Sequence, residues 1–445
     1  MLQTGLLTDQ YELTMVQAAL RSGTADRRCV FEVFGRRLPG DRRYGVVAGT
    51  GRALDALESF AFSDHDLGWL LDSQIVDRPT VDWLSTYRFT GSILGYGEGD
   101  TYFPGSPLLV VESTFAEGVV LETLLLSILN HDSAVASAAS RMTAAAGDRP
   151  CIEMGSRRTH EWSAVAAARA AYIAGFTASS NLRAGVEYGI PTTGTAAHAF
   201  TLLHDTERDA FRAQVDSLGE GTTLLVDTFD IGEAVKAAVD IAGPDLGAVR
   251  IDSGDLAGLA HTVRKQLDDL GAAKTRIIVT SDLDEFAIAG LSAAPVDGYG
   301  VGTSLVVGSG VPTSGFVYKL VSRATSSAAD APLVSVSKRS SDKTSIGGRK
   351  WALRKRSPDG VAETEVIGIE QQPVDDGDDR PLLRDLVRDG EIVGREPLAA
   401  ARERHAAAFA ELPPEAHKLS RGEPAIPTTY LGDGGPAGRK PLDGP

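Results

Sequence analysis

The stretch AVRIDSGDLAGLAHTVRKQLDDLGAAKTRIIVTSDLDE, residues 248–285, decides the fold class of this chain. Two short runs rich in β-branched residues, 248–252 and 276–281, flank a segment long enough for a helix. Each run ends in small, polar or charged residues. A strand, a helix and a second strand in this order predict a parallel pair joined by a helical crossover.

The same pattern recurs between about residues 149 and 310 and predicts a mostly parallel sheet, either open or closed into a barrel. Because the carboxyl ends of parallel strands in a barrel share one face, we expect the polar residues after each run to surround one pocket. The predicted strands are 150–154, 176–180, 223–227, 248–252, 276–281 and 298–303.

The N-terminal section, residues 1–130, predicts an α+β domain because alternating runs typical of strands are mixed with helical spacing. Its first helix is expected to begin near Thr8, a favourable N-cap residue. The predicted elements are a helix at 9–20, strands at 30–34 and 107–112, and a long apolar helix from 121 to about 142.

The strand and helix series is assigned to an αβ-barrel domain, 131–320, and the remainder, 321–445, to a C-terminal region. That region contains a basic, strand-like stretch at 338–356 and a predicted helix at 398–409. Beyond residue 412 it is rich in Pro and Gly, which predicts a tail that is either held by contacts or mobile.

Composition and charge exclude several classes of protein. The 445 residues are 42% hydrophobic and 23% charged, which is ordinary globular usage and sufficient for a buried core. Lys and Arg number 44 against 60 Asp and Glu, a net charge of −16, so no nucleic-acid or membrane partner is expected. Cys29 and Cys151 alone cannot build a disulfide framework or a cysteine zinc site, and no structural metal is expected.

Neither a secretion signal nor a membrane span is expected. The N-terminus has no basic segment and carries Asp9 and Glu12 within its first apolar stretch. Arginines interrupt the apolar segments before they reach the roughly 20 residues that a span requires. We therefore expect a soluble, cytoplasmic protein.

His198 lies in IPTTGTAAHAF (190–200), a few residues after a Gly-Thr pair. An imidazole at a strand end, beside hydroxyl groups, is suited to act as a base or as a nucleophile toward a phosphoryl group near neutral pH. The structural alternative is a histidine at a helix start, bonded to a backbone carbonyl. The local sequence leaves both interpretations open.

Arg250 and Asp252, in VRIDSGDL (249–256), lie two residues apart and so on the same side of a strand. They are suited to bind a substrate carboxylate and to orient a ribose or a metal, or they form a buried ion pair that satisfies itself. Arg157, in MGSRRTHEW (154–162), adds positive charge at another strand end, where a guanidinium suits carboxylate or phosphate groups. A salt-bridged surface pair is the alternative for Arg157.

The segments TSDLDE (280–285) and GVGTSLVVGSG (300–310) have the character of phosphate-binding turns. In each, small residues after a strand leave backbone N–H groups accessible where a helix can begin. Neither signal is specific by itself. The sequence has no GxxxxGK[ST] motif, so any use of ATP is not of the P-loop kind.

Taken together, an ordered set of motifs over about residues 4–320 resembles the nicotinate phosphoribosyltransferase family, particularly its short bacterial form. The resemblance implies a type II phosphoribosyltransferase fold, in which an irregular αβ barrel joins an N-terminal α+β domain and a C-terminal extension. Some relatives have a cysteine-bound zinc in that extension, and this chain lacks the cysteines. The motifs are TDQYELTM, FEVFGRRLP, YFPGSPLL, LLSILNHDSAVASAASRM, MGSRRTHEW, GTAAHAF, VRIDSGDL, TSDLDE and GVGT.

The resemblance also implies roles for single residues. His198 matches the histidine that ATP phosphorylates, and Thr195 matches a threonine that binds nicotinate. Arg250 matches the arginine that meets the nicotinate carboxylate. Tyr11 is similar to a tyrosine that stacks on the pyridine ring from the partner subunit, which implies a homodimer with shared active sites.

Thr303 resembles the residue that holds the phosphate of the phosphoribosyl group. The other residues that the resemblance places in or near this pocket are Arg157, Asn181, Asp252, Ser253, Asp255, Ser281, Asp282 and Gly302. The implied reaction joins nicotinate to 5-phosphoribosyl 1-diphosphate, gives nicotinate mononucleotide and diphosphate, and uses ATP hydrolysis and Mg²⁺. It is the first step of NAD salvage from nicotinate.

Two alternatives remain beside this interpretation. One is a relative of the same fold that uses nicotinamide or quinolinate; nicotinamide-using relatives have an acidic residue near the position of Asn181, which favours the acid as substrate here. The other is a non-catalytic barrel that binds phosphorylated metabolites.

Overall fold

The computed structural model describes residues 3–338 and 345–432. The chain divides into two compact units. We name Val135–Pro312 the barrel unit, and Met1–Ala134 together with Thr313–Pro445 the composite unit. The first and third sections distinguished in the sequence therefore share one unit, because β-strands from both enter the same sheet.

Elements are numbered in chain order. The α-helices of the described residues are α1 (Gln10–Ser22), α2 (Thr50–Glu58), α3 (Asp64–Asp72), α4 (Arg78–Ser85), α5 (Phe115–Val119), α6 (Glu122–Ala146), α7 (Glu161–Ile173), α8 (Leu182–Tyr188), α9 (His198–Leu203), α10 (Glu207–Leu218), α11 (Ile231–Ala242), α12 (Leu256–Asp269), α13 (Glu285–Gly290), α14 (Thr303–Val306) and α15 (Leu398–Ala410). The strands are β1 (Arg28–Gly35), β2 (Gly45–Val46), β3 (Ser92–Gly95), β4 (Thr101–Tyr102), β5 (Leu109–Thr114), β6 (Cys151–Glu153), β7 (Ala178–Ser179), β8 (Thr223–Leu225), β9 (Ala248–Ile251), β10 (Arg276–Val279), β11 (Gly298–Val301), β12 (Phe316–Ala324), β13 (Leu333–Ser335), β14 (Lys350–Arg356), β15 (Ala362–Ile369), β16 (Arg380–Pro381), β17 (Arg384–Arg388), β18 (Glu391–Ile392) and β19 (Thr428–Leu431).

The barrel unit is built on a parallel six-stranded sheet in the order β7-β6-β11-β10-β9-β8. Each of its strands lies inside one of the six ranges predicted from the sequence, so the prediction of a parallel sheet is confirmed. Each strand is shorter than predicted, because one or two residues at its carboxyl end belong to the following loop, and β6 and β7 also begin later than predicted. Helices α7 to α14 lie along the chain between or after these strands.

This sheet is strongly curled. The segment 191–193 adds to β7, where Ser179 N donates to the Pro191 carbonyl and Thr193 N donates to the Ser179 carbonyl, both at 3.0 Å. His198, five residues after Thr193, contacts the loop that follows β8 at the opposite edge. In a flat sheet these edges are about 29 Å apart, whereas five residues span at most about 17 Å. The sheet must therefore curl until its two edges approach.

The composite unit contains a seven-stranded sheet in the order β13-β12-β1-β5-β3-β17-β18 and a four-stranded sheet in the order β16-β14-β15-β19. Strand β1 pairs antiparallel with both β12 and β5. The strands predicted at 30–34 and 107–112 are β1 and β5, and the helices predicted at 121–142 and 398–409 are α6 and α15. Both cysteines, one in each unit, are free and buried.

The predicted start of the first helix is wrong by one residue. Asp9, not Thr8, is the N-cap of α1. The Thr8 hydroxyl donates instead to the buried carboxylate of Glu12, which also accepts from the backbone N–H of Thr123 at 2.9 Å. A side chain committed to that carboxylate is not available to cap the helix.

One helical stretch, Phe115–Ala146, is long and apolar enough to cross a membrane by length and composition, so the expectation that no segment reaches this length is wrong. Within its most apolar window 67% of the residues are buried inside the fold. Packing against the protein's own core accounts for that hydropathy.

Part of the C-terminal expectation lies outside the described residues. This applies to Arg339 and Lys343 of the basic stretch and to 433–445 of the tail. The described end of the tail is held by contacts, because β19 pairs in parallel with β15.

Candidate active site

His198 is the first residue of α9, and its imidazole lies among the carboxyl ends of β8 and β9. Nδ1 is 3.1 Å from the Thr228 hydroxyl. Nε2 is 3.8 Å from Oδ1 of Asp227 and 3.9 Å from Oδ2 of Asp252. The ring therefore contacts a side-chain hydroxyl and faces two carboxylates, which is not the backbone-bonded alternative considered from the sequence. It is 40% exposed and so accessible to a ligand.

Asp227 fixes the loop after β9. Its side chain is only 2% exposed, and Oδ2 accepts hydrogen bonds from the backbone N–H of Asp252 and the hydroxyl of Ser253, both at 2.8 Å. Its Oδ1 is buried and has no hydrogen-bond partner among the described residues. Asp227 ends the strand predicted at 223–227, but the sequence indicates no role in the site for it or for Thr228.

Arg250 lies on β9 with its Nε buried and unpartnered within the described part of the chain. Burial lowers the pKa of its guanidinium and nearby Arg157 lowers it further, while Asp252 and Asp227 oppose the shift. Asp252 accepts a short hydrogen bond from the Thr280 hydroxyl at the end of β10. The charge of Asp252 therefore affects Arg250. Their described contacts do not, however, include the ion pair between the two side chains that was the alternative considered from the sequence.

The ends of β6 and β7 are joined by a second buried carboxylate. Glu153 accepts hydrogen bonds from the Ser179 hydroxyl and from the backbone N–H of Gly155. Burial raises its pKa, and these two hydrogen bonds oppose the rise. Next to them, the Asn181 side chain caps α8 through Ala184 N and donates to the Ser156 hydroxyl at 3.0 Å.

The loops after β10 and β11 carry the two predicted phosphate-binding turns. Ser281 and Asp282 are exposed, and Ser281 has a φ of 138°, a strained conformation for a residue with a side chain. Gly302 is the N-cap residue of α14, and Thr303 is its first residue. A Cβ on Gly155 would lie 3.0 Å from the Gly302 carbonyl oxygen, so the loops after β6 and β11 are in close contact.

Glu207, at the start of α10, is a further acidic group of this cluster that the sequence did not single out. Its Oε1 is buried and unpartnered among the described residues. Burial and the nearby carboxylates of Asp227 and Asp230 raise its pKa to about 6.

Residues 6–130 match the model of the nicotinate phosphoribosyltransferase (NAPRTase) N-terminal domain. Over 436 residues the chain is 58% identical to nicotinate phosphoribosyltransferase pncB1 of Mycobacterium tuberculosis, covering 96% of this chain and 95% of that protein. It is also 36% identical to the nicotinate phosphoribosyltransferase of Bacillus subtilis, over 78% of this chain and 72% of that protein. The chain belongs to the nicotinate phosphoribosyltransferase family.

Solved structures agree with this membership and confirm the predicted fold class. Human nicotinic acid phosphoribosyltransferase superposes with a TM-score of 0.81 at 25% identity, covering 95% of this chain and 97% of that one. Nicotinate-nucleotide pyrophosphorylase from Pyrococcus furiosus has the same fold, with a TM-score of 0.75 at 22% identity over 92% and 95%. The curled parallel sheet is thus the irregular αβ barrel of the type II phosphoribosyltransferase fold.

The residues matched to nicotinate phosphoribosyltransferases lie on the strand-end loops described above, on the connection before His198 and on α1. His198, Arg250, Asp252 and Ser253 share one cluster of strand ends, and Arg157 reaches it electrostatically. Thr195 is exposed in the connection between Thr193 and His198, and Asp255 is the N-cap of α12. Tyr11 belongs to α1 of the composite unit.

Tyr11 is 46% exposed on α1. Burial of its hydroxyl, with added repulsion from Glu122, Glu12 and Asp9, raises its pKa to about 12. The phenol is therefore neutral at physiological pH, and its ring presents an uncharged aromatic face.

Proposed function

We propose that this chain joins nicotinate to 5-phosphoribosyl 1-diphosphate and releases nicotinate mononucleotide and diphosphate. The observation that carries the proposal is the buried Nε of Arg250, which has no hydrogen-bond partner among the described residues and lies in the same cluster of strand ends as His198. A buried N–H without a partner is costly, and a planar carboxylate is the best-matched anion for a guanidinium. The relatives named nicotinate phosphoribosyltransferase support nicotinate as the acid.

In the transfer step the pyridine nitrogen of nicotinate attacks the anomeric carbon of the ribose. The bond from that carbon to the diphosphate oxygen breaks, and its electron pair leaves with diphosphate. Because the transition state resembles an oxocarbenium ion, negative charge grows on the leaving group and must be stabilised. Arg157 is suited to this role, while Thr303 and Gly302 are suited to hold the 5-phosphate at the start of α14.

His198 is proposed as the nucleophile toward the γ-phosphorus of ATP. Asp227 and Asp252 face Nε2, and two negative charges there favour a proton on Nε2. Nδ1, which faces the Thr228 hydroxyl, then keeps its lone pair. Nδ1 attacks the γ-phosphorus, the bond to the bridging oxygen of ADP breaks, and ADP leaves; hydrolysis of the phosphohistidine later releases phosphate.

Phosphorylation of His198 would place additional negative charge beside two carboxylates that also hold the loop after β9. Asp227 binds the backbone of Asp252, so repulsion at the ring is transmitted to the loop that follows Arg250. A charge change of this kind is a recognised way to reshape a binding site. This contact is the proposed route by which ATP cleavage affects substrate binding.

Magnesium, the expected cofactor, is compatible with the residues present. Asp227, Asp252 and Asp255 offer carboxylate oxygens, the ligands that Mg²⁺ prefers, at adjacent strand ends. The buried Oδ1 of Asp227 has no hydrogen-bond partner in the described residues, and a bound cation would supply its missing partner. Bound at these residues, the ion would neutralise charge on the diphosphate.

We also propose a homodimer in which Tyr11 of the partner subunit stacks on the pyridine ring. Two further apolar side chains, Leu6 and Leu7, are exposed a few residues before Tyr11. Exposed apolar groups that lie close together in the chain suit a protein interface.

The test compares the two pyridine substrates. Purified protein, supplied with ATP and 5-phosphoribosyl 1-diphosphate, should consume nicotinate far faster than nicotinamide, and the reverse preference would overturn the proposal. The Asn181 side chain is occupied by a helix cap and by Ser156, and it offers no carboxylate for the amide of nicotinamide.

A labelling experiment separates the enzyme from a non-catalytic binding barrel. An acid-labile ³²P label from γ-³²P-ATP should appear on the wild type and be missing from His198→Ala. A wild-type protein that takes up no label and forms no mononucleotide would instead be a binder.

A further inference from the structure

Glu285 is a buried carboxylate with a separate partner on each oxygen. Its side chain is 4% exposed at the start of α13. Oε1 accepts from Nε of Arg141 at 3.0 Å, and Oε2 accepts from the hydroxyl of Ser309 at 2.6 Å. Arg141 is also buried, with its side chain 7% exposed.

The three residues belong to three of the motifs quoted above. The proposed reaction gives none of the three a role. Arg141 lies in α6, within LLSILNHDSAVASAASRM. Glu285 ends TSDLDE, the turn that carries Ser281, and Ser309 lies in GVGTSLVVGSG, the turn that carries Thr303. One carboxylate therefore joins the two strand-end turns to each other and both to the long helix.

Ser309 is held in a conformation that favours glycine. Its φ is 52°, and the residues on either side, Gly308 and Gly310, also have positive φ. Glycine would adopt this backbone at lower cost than serine. The hydroxyl, which reaches Glu285, is what serine adds here, and the backbone N–H of Ser309 donates to the Ser304 carbonyl at 2.6 Å, next to Thr303.

Stabilisation of the fold does not by itself explain the buried Arg141–Glu285 ion pair. Burying two charges costs desolvation energy, and apolar residues of similar volume often stabilise a fold equally well. Burial raises the pKa of Glu285, but Ser309, a backbone N–H and Arg141 lower it to a net value below normal. The carboxylate thus stays charged and keeps both partners in place.

We propose that Glu285 is a positioning residue that fixes the spacing of the turns after β10 and β11 and so sets the affinity for the phosphosugar. The inference rests on the proposed function for its substrate class. It acts through Thr303, which is proposed to hold the 5-phosphate, and through Ser281, which the resemblance places in or near the same pocket.

The variant that tests it is Ser309→Ala, because it cuts the connection between the turns and leaves the Arg141–Glu285 pair intact. The chain offers a matched control. In the composite unit Arg354 and Ser106 also donate to the two oxygens of a buried carboxylate, that of Glu365, so Ser106→Ala removes a serine–carboxylate hydrogen bond outside the barrel unit. Tyr96 donates to the same oxygen as Ser106 and remains in this variant.

Ser309→Ala should raise the KM for 5-phosphoribosyl 1-diphosphate by about tenfold, the size expected for losing one hydrogen bond to a charged group. The KM for nicotinate and the kcat should stay within about twofold of wild type. Ser106→Ala should lower the Tm and leave both KM values unchanged. Equal rises in both KM values, or the same rise in Ser106→Ala, would show a merely structural role and overturn the inference.

Equilibrium binding of ribose 5-phosphate separates this inference from the proposed function. If the wild type forms no mononucleotide but Ser309→Ala still binds ribose 5-phosphate about tenfold more weakly, the proposed reaction fails and the positioning role stands. If the wild type is active and both proteins bind ribose 5-phosphate equally, the positioning role fails. A wild type that forms no mononucleotide and binds no ribose 5-phosphate contradicts both.

Discussion

Nε2 of His198 lies 3.9 Å from Oδ2 of Asp252. His198 follows β7, at one edge of the sheet, along the chain, whereas Asp252 follows β9. In the proposed phosphorylation, this carboxylate and that of Asp227 favour one of the two nitrogens of the imidazole as the site of the proton. The carboxylate favours a proton on Nε2 and so leaves the lone pair on Nδ1.

Asp252→Asn should therefore slow the appearance of acid-labile ³²P on His198 by about tenfold or more, in the range seen when a residue that orients an imidazole is lost. Asparagine can still accept the hydrogen bond from Thr280, so the loop should remain in place. Asp245→Asn, an exposed aspartate before β9, serves as the control and should label at the wild-type rate. Equal labelling of both variants would contradict the role given to Asp252.

Arg250→Ala should raise the nicotinate KM by an amount corresponding to about 2 to 4 kcal/mol, the usual range for losing a charged, hydrogen-bonded partner. The buried Nε would no longer be available to the carboxylate. Steady-state kinetics at saturating phosphoribosyl donor measure the change, with ³²P labelling of His198 as the control for folding. An unchanged KM would show that nicotinate binds elsewhere.

Tyr11→Ala should weaken nicotinate binding by about 1 to 2 kcal/mol through the loss of ring stacking. If Tyr11 acts in the partner's site, an inactive Tyr11 variant mixed with His198→Ala should recover activity, because one of the mixed sites carries neither substitution. Absence of recovery after subunit exchange has been demonstrated would contradict a shared site.

Glu207→Gln should stabilise the protein above pH 6 and leave its stability near pH 4 unchanged. The folded-state pKa of about 6 exceeds the usual 4.5, so the folded protein holds its proton longer and loses stability as the pH rises from 4.5 through 6. Glutamine removes that cost, which we expect to be about 1 kcal/mol or less after allowance for solvent screening.

Urea unfolding at pH 4.5 and pH 8 measures the effect of Glu207→Gln. Glu220→Gln, at an exposed glutamate of the same unit, is the matched control. A gain in stability that is the same at both pH values would show that the carboxylate's charge is not responsible.

The sequence predicts the barrel sheet well because its signals are local. Most of its strands lie in short runs with apolar or β-branched residues, and each run is followed by small, polar or charged residues. Arg250 and Asp252 were found on one side of β9 by the alternation of side chains alone. The predicted start of α1 was wrong because Thr8 donates to the carboxylate of Glu12. Thr123, more than 100 positions away, donates to the same carboxylate.

The groups that the sequence did not reveal depend on contacts between distant residues. Asp227 binds the loop 25 residues later, and Glu285 binds Arg141 across 144 residues. No spacing rule links such positions, because the order and register of the strands decide which loops meet.

The short connection from Thr193 to His198 has a consequence for how the chain tolerates changes in length. Its first end is fixed by a backbone hydrogen bond to Ser179 and its last by Thr228. Inserting or deleting one residue would displace the imidazole by about 3.5 Å, as far as the ring is from its neighbours. Homologous proteins that keep this chemistry must therefore place their insertions and deletions in other loops, and this five-residue interval should be invariant in length.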